Sequence, residues 1–436
     1  MSVTLSTAMI HASGLWSEMK KEGLTLEKAA FLAKRFDAPM RGAVMSLIYT
    51  TVRTFLKTRF VKKALVQKAP PEATMALLDV GLALLIENQE ENHTVVNEAV
   101  TAAKLKIDTY AAGFINAVLR NFLRRRAEFE NRFATDPQLR FEVPRWWFEK
   151  VRESFPDRFE SVLTRAADHP PFVLRVNTTK ICPEAYFEKL AENGIEAQAL
   201  GDAAVLVLQP RPVEALPGFA EGFFSVQDAA SQLVTRFLAL RKGEKLLDAC
   251  AAPGGKTCAL LEASQASVTA LDENPARCEM IRDNLKRLDL KADIFCADTA
   301  SPDALKRFGR FDAVLLDAPC TASGILARHP DIVHMRQEAD VARLAQKQAA
   351  LLKNLWQAVK PGGKLLYCVC SIFKEEGVSQ IAKFLAATPD AKPENLPGFE
   401  TATLLLAPTV DEKDTRLPRV HDGFFYALLR KEAAYD

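Results

Sequence analysis

The sequence predicts a doubly wound, Rossmann-like α/β domain preceded by an all-helical domain and a small α/β module, on three observations. From Ser225 onward strand-like and helix-like stretches alternate, the pattern of a mostly parallel sheet covered by helices. Before about residue 130, apolar residues recur at helical spacing with few Gly or Pro. Between the two, the chain from Pro170 to Phe224 changes to short strands around one helix. A chain of 436 residues exceeds a single ordinary core, and the expected domains are 1–135, 140–224 and 225–436.

The composition sets bounds on function. Hydrophobic content of 48% and charged content of 26% describe a soluble globular protein. The formal net charge is only +2, so affinity for nucleic acid must come from local basic patches. The first 16 residues lack a basic start and a long apolar run. The most apolar stretch, 75–86, is too short to cross a bilayer and carries Asp79. No membrane association and a cytoplasmic location are therefore expected. Eight cysteines in a chain of this length read as reduced thiols. With no C-x-x-C pair and six scattered histidines, no metal site is expected.

Taken in order, apolar spacing predicts helices across 29–56, 77–86, 95–103 and 112–123. The last runs into Arg120, Arg124, Arg125, Arg126 and Arg132, a stripe that could neutralise phosphates or simply suit a solvated helix end. His93, alone at a helix boundary, reads as a cap or core residue. Residues 136–144 read as a linker, followed by a short helix from Arg145. In it, Trp146 and Trp147 suit buried packing better than base stacking. The middle module reads as strand 172–176, helix 183–193 and strand 203–209. Strands are then expected at 267–271, 293–296, 311–316, 364–369 and 423–430, with helices over 275–288, 340–359 and 375–386.

The catalytic chemistry is expected around 245–257, KLLDACAAPGGKT. An apolar strand, a Pro253-Gly254-Gly255 turn and a helix start form the first βα unit of a nucleotide-type site. Glycine lets backbone approach a ligand, and the helix N-terminus offers free N–H groups. The turn lacks both G-x-G-x-x-G and P-loop spacing, which disfavours NAD and ATP and makes S-adenosylmethionine the leading ligand. Asp272, Asp298, Asp317 and Cys370 fall at carboxyl ends of predicted strands, where an open α/β sheet binds ligands. Asp272 stands where a carboxylate meets ribose hydroxyls, and Asp298 could accept from an adenine amino group. Cys320 and Cys370, at the crevice mouth near Lys256, are candidate nucleophiles. Cys182, Cys258, Cys278 and Cys296 read as small buried hydrophobes. A Cys368–Cys370 disulfide is disfavoured, because residues two apart on a strand lie roughly 6.8 Å apart at Cα.

Four motifs in order, 248–257 (DACAAPGGKT), 317–324 (DAPCTASG), 367–371 (YCVCS) and 422–426 (DGFFY), resemble those of the RNA 5-methylcytosine methyltransferases. The chain is most similar to the bacterial small-subunit branch, the RsmB/Sun/Fmu family. The resemblance extends to a NusB-like helical domain (113–120, GFINAVLR), to 174–177 (LRVN), 225–229 (SVQDA) and 328–331 (RHPD). It implies a class I S-adenosylmethionine methyltransferase that acts on a cytosine of 16S ribosomal RNA through a covalent cysteine–cytosine intermediate, with a NusB-like domain and a small RNA-binding module ahead of it, and a monomer. In this family Cys370 would add to carbon 6, Cys320 would assist loss of the carbon 5 proton and enzyme release, and Asp317 would hold the cytosine edge. Lys256 would orient or acidify the thiol. Cys250, Ala251, Ala252, Pro253, Gly254, Gly255, Lys256, Asp272, Asp298 and Asp317 would form the cofactor pocket. Val369 and Cys368 depart from the common Thr and small non-thiol residue beside the nucleophile, and Ser323 replaces a frequent Thr. A transfer-RNA cytosine-5 enzyme, a small-molecule or protein methyltransferase and a non-enzymatic NusB-type RNA-binding factor are the alternatives. Two thiols in one crevice argue against the last two.

Overall fold

The structure, a computed structural model, describes residues 3–23, 25–88 and 90–433, so the expected domain ends at 1 and 436 lie outside the described residues. The chain divides into two compact units. One takes Met1–Arg152 and Leu326–Arg336, the other Glu153–Ile325 and Gln337–Asp436.

The first unit is helical. Helices Leu5–Glu22, Ala38–Arg53, Asn92–Lys106 and Thr109–Arg124 pack around Glu72–Glu87, whose residues from Ala76 to Leu85 are buried. A helix apolar on every side belongs inside a bundle. Its one buried charge, Asp79, is held by Lys20, Lys62 and the Trp16 indole N–H. The helix starts follow from caps in the sequence: Thr4, Thr25, Asp37 and Asp108 each accept a backbone N–H from their own first turn.

The stretch 136–144, expected as a linker, contains helix Pro137–Phe141, with Asp136 as its cap and Pro137 in its first turn. Asp-Pro is a helix start as readily as a turn, and the burial of Leu139 and Phe141 decides for the helix. His93 is neither core nor cap. It lies exposed in the first turn of Asn92–Lys106, its ring nitrogen 3.6 Å from the Glu91 carboxylate. Trp147 is buried and Trp146 half-buried, their rings edge-on at 5.2 Å.

The segment Leu326–Arg336 joins these helices although it interrupts the α/β sequence. Asp331 accepts the Leu26 N–H at 2.8 Å and Arg53 donates to the Ala327 carbonyl at 2.8 Å. The His334 ring lies 3.0 Å from the Val52 carbonyl and 4.7 Å from the Phe55 ring.

The second unit holds two sheets. Strands β1 (Phe172–Val176), β2 (Ala197–Gly201), β3 (Ala204–Val207) and β4 (Phe224–Val226) form an antiparallel sheet in the order β2-β3-β1-β4. Helix Pro183–Glu192 contributes Tyr186 and Leu190 to its core. The second sheet contains β5 (Lys245–Ala249), β6 (Ser267–Asp272), β7 (Asp293–Cys296), β8 (Phe311–Asp317), β9 (Val359–Val369), β10 (Ala391–Pro393), β11 (Thr403–Leu406) and β12 (Phe424–Lys431). Their order is β10-β12-β9-β8-β5-β6-β7, with β11 beside β12.

Strands β5 to β9 are mutually parallel, and β12 returns antiparallel to β9. Hydrophobic cores lie on both faces, which explains why β5 and β8 read as nearly continuous apolar runs. The strand order reverses between β5 and β8, which opens the ligand crevice at their carboxyl ends. Strand β9 starts five residues earlier than the sequence suggests, because Val359 pairs with Phe311 across a register shift.

Candidate active site at the carboxyl ends of the strands

The loop after β5 is shaped by its own backbone. Cys250 has a φ of 61°, and the Ala251 N–H reaches across to the Leu271 carbonyl at 2.8 Å. Gly254 caps the next helix, Gly255–Ala263, at a φ of 100° with no side-chain capping bond. A Cβ there would lie 3.2 Å from Ile281, so both conformation and space require glycine. The helix start therefore has no side-chain cap of its own. Beneath it Thr257 donates to buried Asp248 at 2.5 Å. Burial pushes that carboxyl up to about 7.

The carboxylates expected in the site have distinct settings. Asp272, the last residue of β6, is buried and fixes the loop, accepting from the Ala252 and Asn274 N–H groups at 3.2 and 3.1 Å. Asp298 lies two residues beyond β7, exposed, with one oxygen accepting the Ala300 N–H at 2.8 Å. Asp317 ends β8 with its side chain 30% exposed, and Lys256 Nζ donates to it at 2.6 Å. Lys256 also lies 5.3 Å from the Phe424 ring centroid. The charge of Asp317 raises the Lys256 pKa although burial opposes it. The Cys250 thiol, beside Thr299 Oγ1 at 3.7 Å, is pushed up to about 12 by burial.

The two thiols meet although fifty residues separate them. Cys320 Sγ and Cys370 Sγ are 3.5 Å apart, Cys320 buried and Cys370 half-buried. Backbone bonds join their loops: Ala318 N–H to the Cys368 carbonyl at 3.0 Å and Gly324 N–H to the Cys370 carbonyl at 2.9 Å. The motif around Asp422 completes the seam, with Gly423 N–H on the Gly324 carbonyl at 2.9 Å. A Cβ on Gly324 would stand 2.1 Å from the Gly423 oxygen, a contact that only glycine avoids. The hydrogen bond with Cys370 and then burial hold the Cys320 thiol well above its ordinary range. Either sulfur can donate in this contact. Cys368 is buried and directs its thiol at Asp317 Oδ1, 3.5 Å away.

Of the expected site residues, Cys320 pairs with Cys370 and Asp317 with Lys256, and Asp272 is tied to the loop 250–256. All eight cysteines are free. Cys258 and Cys278 are buried as expected, but Cys182 and Cys296 are exposed. Cys182 precedes a helix as its N-cap and Cys296 ends the exposed edge strand β7, so neither position faces a core.

Sequence reasoning missed two residues. Arg175 on β1 gives two nitrogens to Glu262 at 2.7 and 2.8 Å, and also binds Gln227 and the Gly255 carbonyl. It thereby clamps the helix that starts at the ligand loop. Glu376, inside the second unit, accepts from the loops of both cysteines. An Arg in a strand and a Glu early in a helix each look like surface residues, and only the quoted LRVN segment hinted at the former.

Comparison with known proteins agrees with this layout. Residues 235–430 match the family model described as 16S rRNA methyltransferase RsmB/F. Residues 143–214 match a ferredoxin-like domain of RsmF/B-like methyltransferases, and residues 6–124 the NusB family. The ribosomal RNA small subunit methyltransferase B of Klebsiella pneumoniae subsp. pneumoniae is 39% identical over 369 residues, 81% of each chain. That of Salmonella arizonae is 38% identical over 370 residues, 82% of each. The crystal structure of PH0851 superposes with a TM-score of 0.78 at 26% identity, covering 99% of this chain and 100% of the other. A methyltransferase homologue from Pyrococcus horikoshii gives 0.57 at 26% identity, over 68% of this chain and 98% of its own. With a NusB-type helical unit, a ferredoxin-like sheet and a methyltransferase sheet in one chain, and with that identity over four-fifths of its relatives, this chain belongs to the 16S rRNA methyltransferase RsmB/F family.

Proposed function

We propose that the protein transfers a methyl group from S-adenosylmethionine to carbon 5 of a cytosine in small-subunit ribosomal RNA, with Cys370 as nucleophile. The observation that carries the reading is the pair of thiols 3.5 Å apart beside the Lys256–Asp317 pair. Methylation of an oxygen or nitrogen has no use for two thiols, whereas carbon 5 of cytosine is too weak a nucleophile unless carbon 6 is first attacked. On this reading residues 1–135 and 140–224 dock RNA and 225–436 carry the chemistry.

The loop suits the cofactor. Its uncapped helix start faces a carboxylate well, and Asp272 and the exposed Asp298 offer acceptors for ribose hydroxyls and an adenine amino group. Cys250 through Lys256, with Asp272, Asp298 and Asp317, would hold it. S-adenosylmethionine supplies an electrophilic methyl group on a sulfonium.

The chain's residues do the rest. Cys370 Sγ, as the thiolate, would bond to carbon 6 and move π density onto carbon 5, which would take the methyl group as the methyl–sulfonium bond breaks and leaves a neutral thioether. The exposed part of the Asp317 carboxylate accepts from the cytosine amino group, while Lys256 holds Asp317 in place. Once Cys370 is consumed in the C–S bond, the main cause that holds the proton on Cys320 disappears. With its own proton passed to solvent, the Cys320 thiolate takes the carbon 5 proton, and the electron pair of that C–H bond restores the 5,6 double bond as the C6–S bond breaks and releases Cys370 as thiolate.

The variants Cys370→Ala and Cys320→Ala test the assignment. Cys370→Ala is expected to abolish methyl transfer without an RNA adduct, and Cys320→Ala to accumulate a protein–RNA adduct on a denaturing gel. The reverse pattern would exchange the two roles. Labelled S-adenosylmethionine incubated with small-subunit ribosomal RNA and with transfer RNA from a strain lacking the enzyme identifies the substrate. Label in transfer RNA alone refutes it.

A further inference from the structure

Glu376 lies fully buried behind the two thiols, and its carboxylate collects donors from three separate pieces of chain. Oε1 accepts the Thr321 N–H at 2.9 Å and Gln348 Nε2 at 3.0 Å. Oε2 accepts Thr321 Oγ1 at 2.5 Å and Ser371 Oγ at 2.6 Å. Thr321 directly follows Cys320 and Ser371 directly follows Cys370, so a single carboxylate holds the backbone beside both sulfurs. Gln348, on the long helix Glu338–Ala358, also donates to the Pro319 carbonyl at 3.0 Å on the other side of Cys320.

The residue that makes these contacts is itself pinned. It ends the turn Lys374–Glu376, and the buried Tyr367 hydroxyl donates to its carbonyl at 2.7 Å. Ser323 adds a strut, 3.0 Å from Ser371 Oγ and accepting the Ile372 N–H at 2.9 Å. Four buried groups converge on one carboxylate, whose two oxygens offer lone pairs to all of them. A buried network of this kind gives its members one geometry, although the Gln348 Oε1 within it has no partner.

We propose that Glu376 is a positioning residue that sets the separation of the Cys320 and Cys370 sulfurs by clasping both of their loops. The inference rests on the roles given to the two thiols above, but the spacing it describes can be read without methyl transfer. In Glu376→Gln a neutral amide replaces the carboxylate, its carbonyl oxygen serves only two of the four donors, and the Thr321 and Ser371 hydroxyls have to turn and accept from the amide nitrogen. The two charge-assisted hydroxyl bonds are replaced by weaker, reversed ones and the loops separate. Misplacement of reacting groups by about 1 Å costs on the order of 100-fold in rate.

The test uses the full-length protein with Cys278→Ala and Cys296→Ala, which removes a second neighbouring thiol pair. Proximity is read by capture of phenylarsine oxide, which bridges two thiols a few ångströms apart, counting only capture that Cys320→Ala abolishes. Glu376→Gln is expected to reduce this capture at least tenfold. It should lower kcat for RNA methylation about 100-fold while the KM for RNA and the affinity for S-adenosylmethionine stay within about twofold. Glu376→Asp, which keeps the charge but reaches fewer donors, should fall between. Should Glu376→Gln fail to bind S-adenosylmethionine or to unfold cooperatively, Ser371→Ala decides, because it releases only the Cys370 side. It is expected to lower both capture and kcat about tenfold. Wild-type capture and kcat in the folded variant overturn the proposal. Capture lost with Glu376→Gln in a protein that methylates no RNA leaves the positioning role standing and removes the catalytic reading instead.

Discussion

Replacing Arg175 by Met tests how the ligand loop is held. Arg175 and Glu262 have side chains only 3% exposed and share two hydrogen bonds of 2.7 and 2.8 Å. Met fills most of the Arg volume but leaves the Glu262 carboxylate buried without its cation and frees the Gly255 carbonyl. Removal of one partner from a buried pair costs about 3–5 kcal/mol, because the remaining charge stays desolvated. In a unit of this size each kcal/mol moves the midpoint by about 2 °C, so the second unit should melt roughly 6–10 °C lower. The measurement is differential scanning calorimetry of the full chain, with S-adenosylmethionine affinity taken at a temperature where the variant is folded. Affinity should fall as well, since the clamp holds the first residue of the ligand helix. The companion Arg175→Met/Glu262→Leu pair should recover most of the lost stability, because the cost lies in the orphaned charge and not in the missing attraction. A single variant that melts within 1–2 °C of the wild type would refute the argument, as would a double variant less stable than the single.

Further outcomes are expected in the helical unit. Glu142 caps the helix Phe55–Leu65, accepting the Leu56 and Lys57 N–H groups at 2.8 and 3.1 Å, and burial pushes its carboxyl up from 4.5 to about 8. Between about pH 4.5 and 8 the folded state therefore binds the proton that the unfolded state has released, and stability falls as pH rises through that window. The loss should be on the order of a few kcal/mol. It should flatten in Glu142→Gln, as measured by urea unfolding at pH 5 and pH 8.5; an unchanged slope would contradict the burial argument. In the arginine stripe, Arg126 is committed to the fold, binding the Leu85 carbonyl, Asn88 and Asn92, while Arg120 and Arg124 are exposed. Arg120→Ala with Arg124→Ala is expected to lower RNA affinity and to reduce the slope of log K against log salt by about 0.7–0.9 per residue. Arg126→Ala should lower stability instead. Filter binding across a salt series, together with melting curves, separates the two effects.

Much of the architecture was legible because it rests on local rules. The helices placed by apolar spacing, the parallel strands buried on both faces and the glycine turn at 253–255 all follow from neighbouring residues and periodicity. The placement of Asp272, Asp317 and Cys370 at strand ends followed as well, since an open α/β sheet directs those ends to one crevice. The failures also have local causes. Residues 136–144 carry a cap signal that also reads as a turn, and the extension of β9 depends on a partner strand that periodicity does not see. The exposure of Cys182 and Cys296 depends on which side of a helix start or edge strand faces outward.

By itself, then, the sequence determined the succession of a helical part, a small sheet and a doubly wound sheet, and the cysteines and carboxylates that accompany a nucleotide-type loop. Those properties are written in short stretches, where spacing alone dictates which backbone geometry is available. Tertiary structure decided everything that depends on residues far apart in the chain. It brought Cys320 within 3.5 Å of Cys370, put Asp317 on Lys256, tied Arg175 to Glu262, and gathered Thr321, Gln348 and Ser371 on Glu376. It also placed Leu326–Arg336 with the helices and not with the sheet that surrounds it in sequence. The physical reason is that a buried charge or thiol takes its properties from whatever packing places within a few ångströms, and no pattern along one strand or helix encodes that neighbourhood.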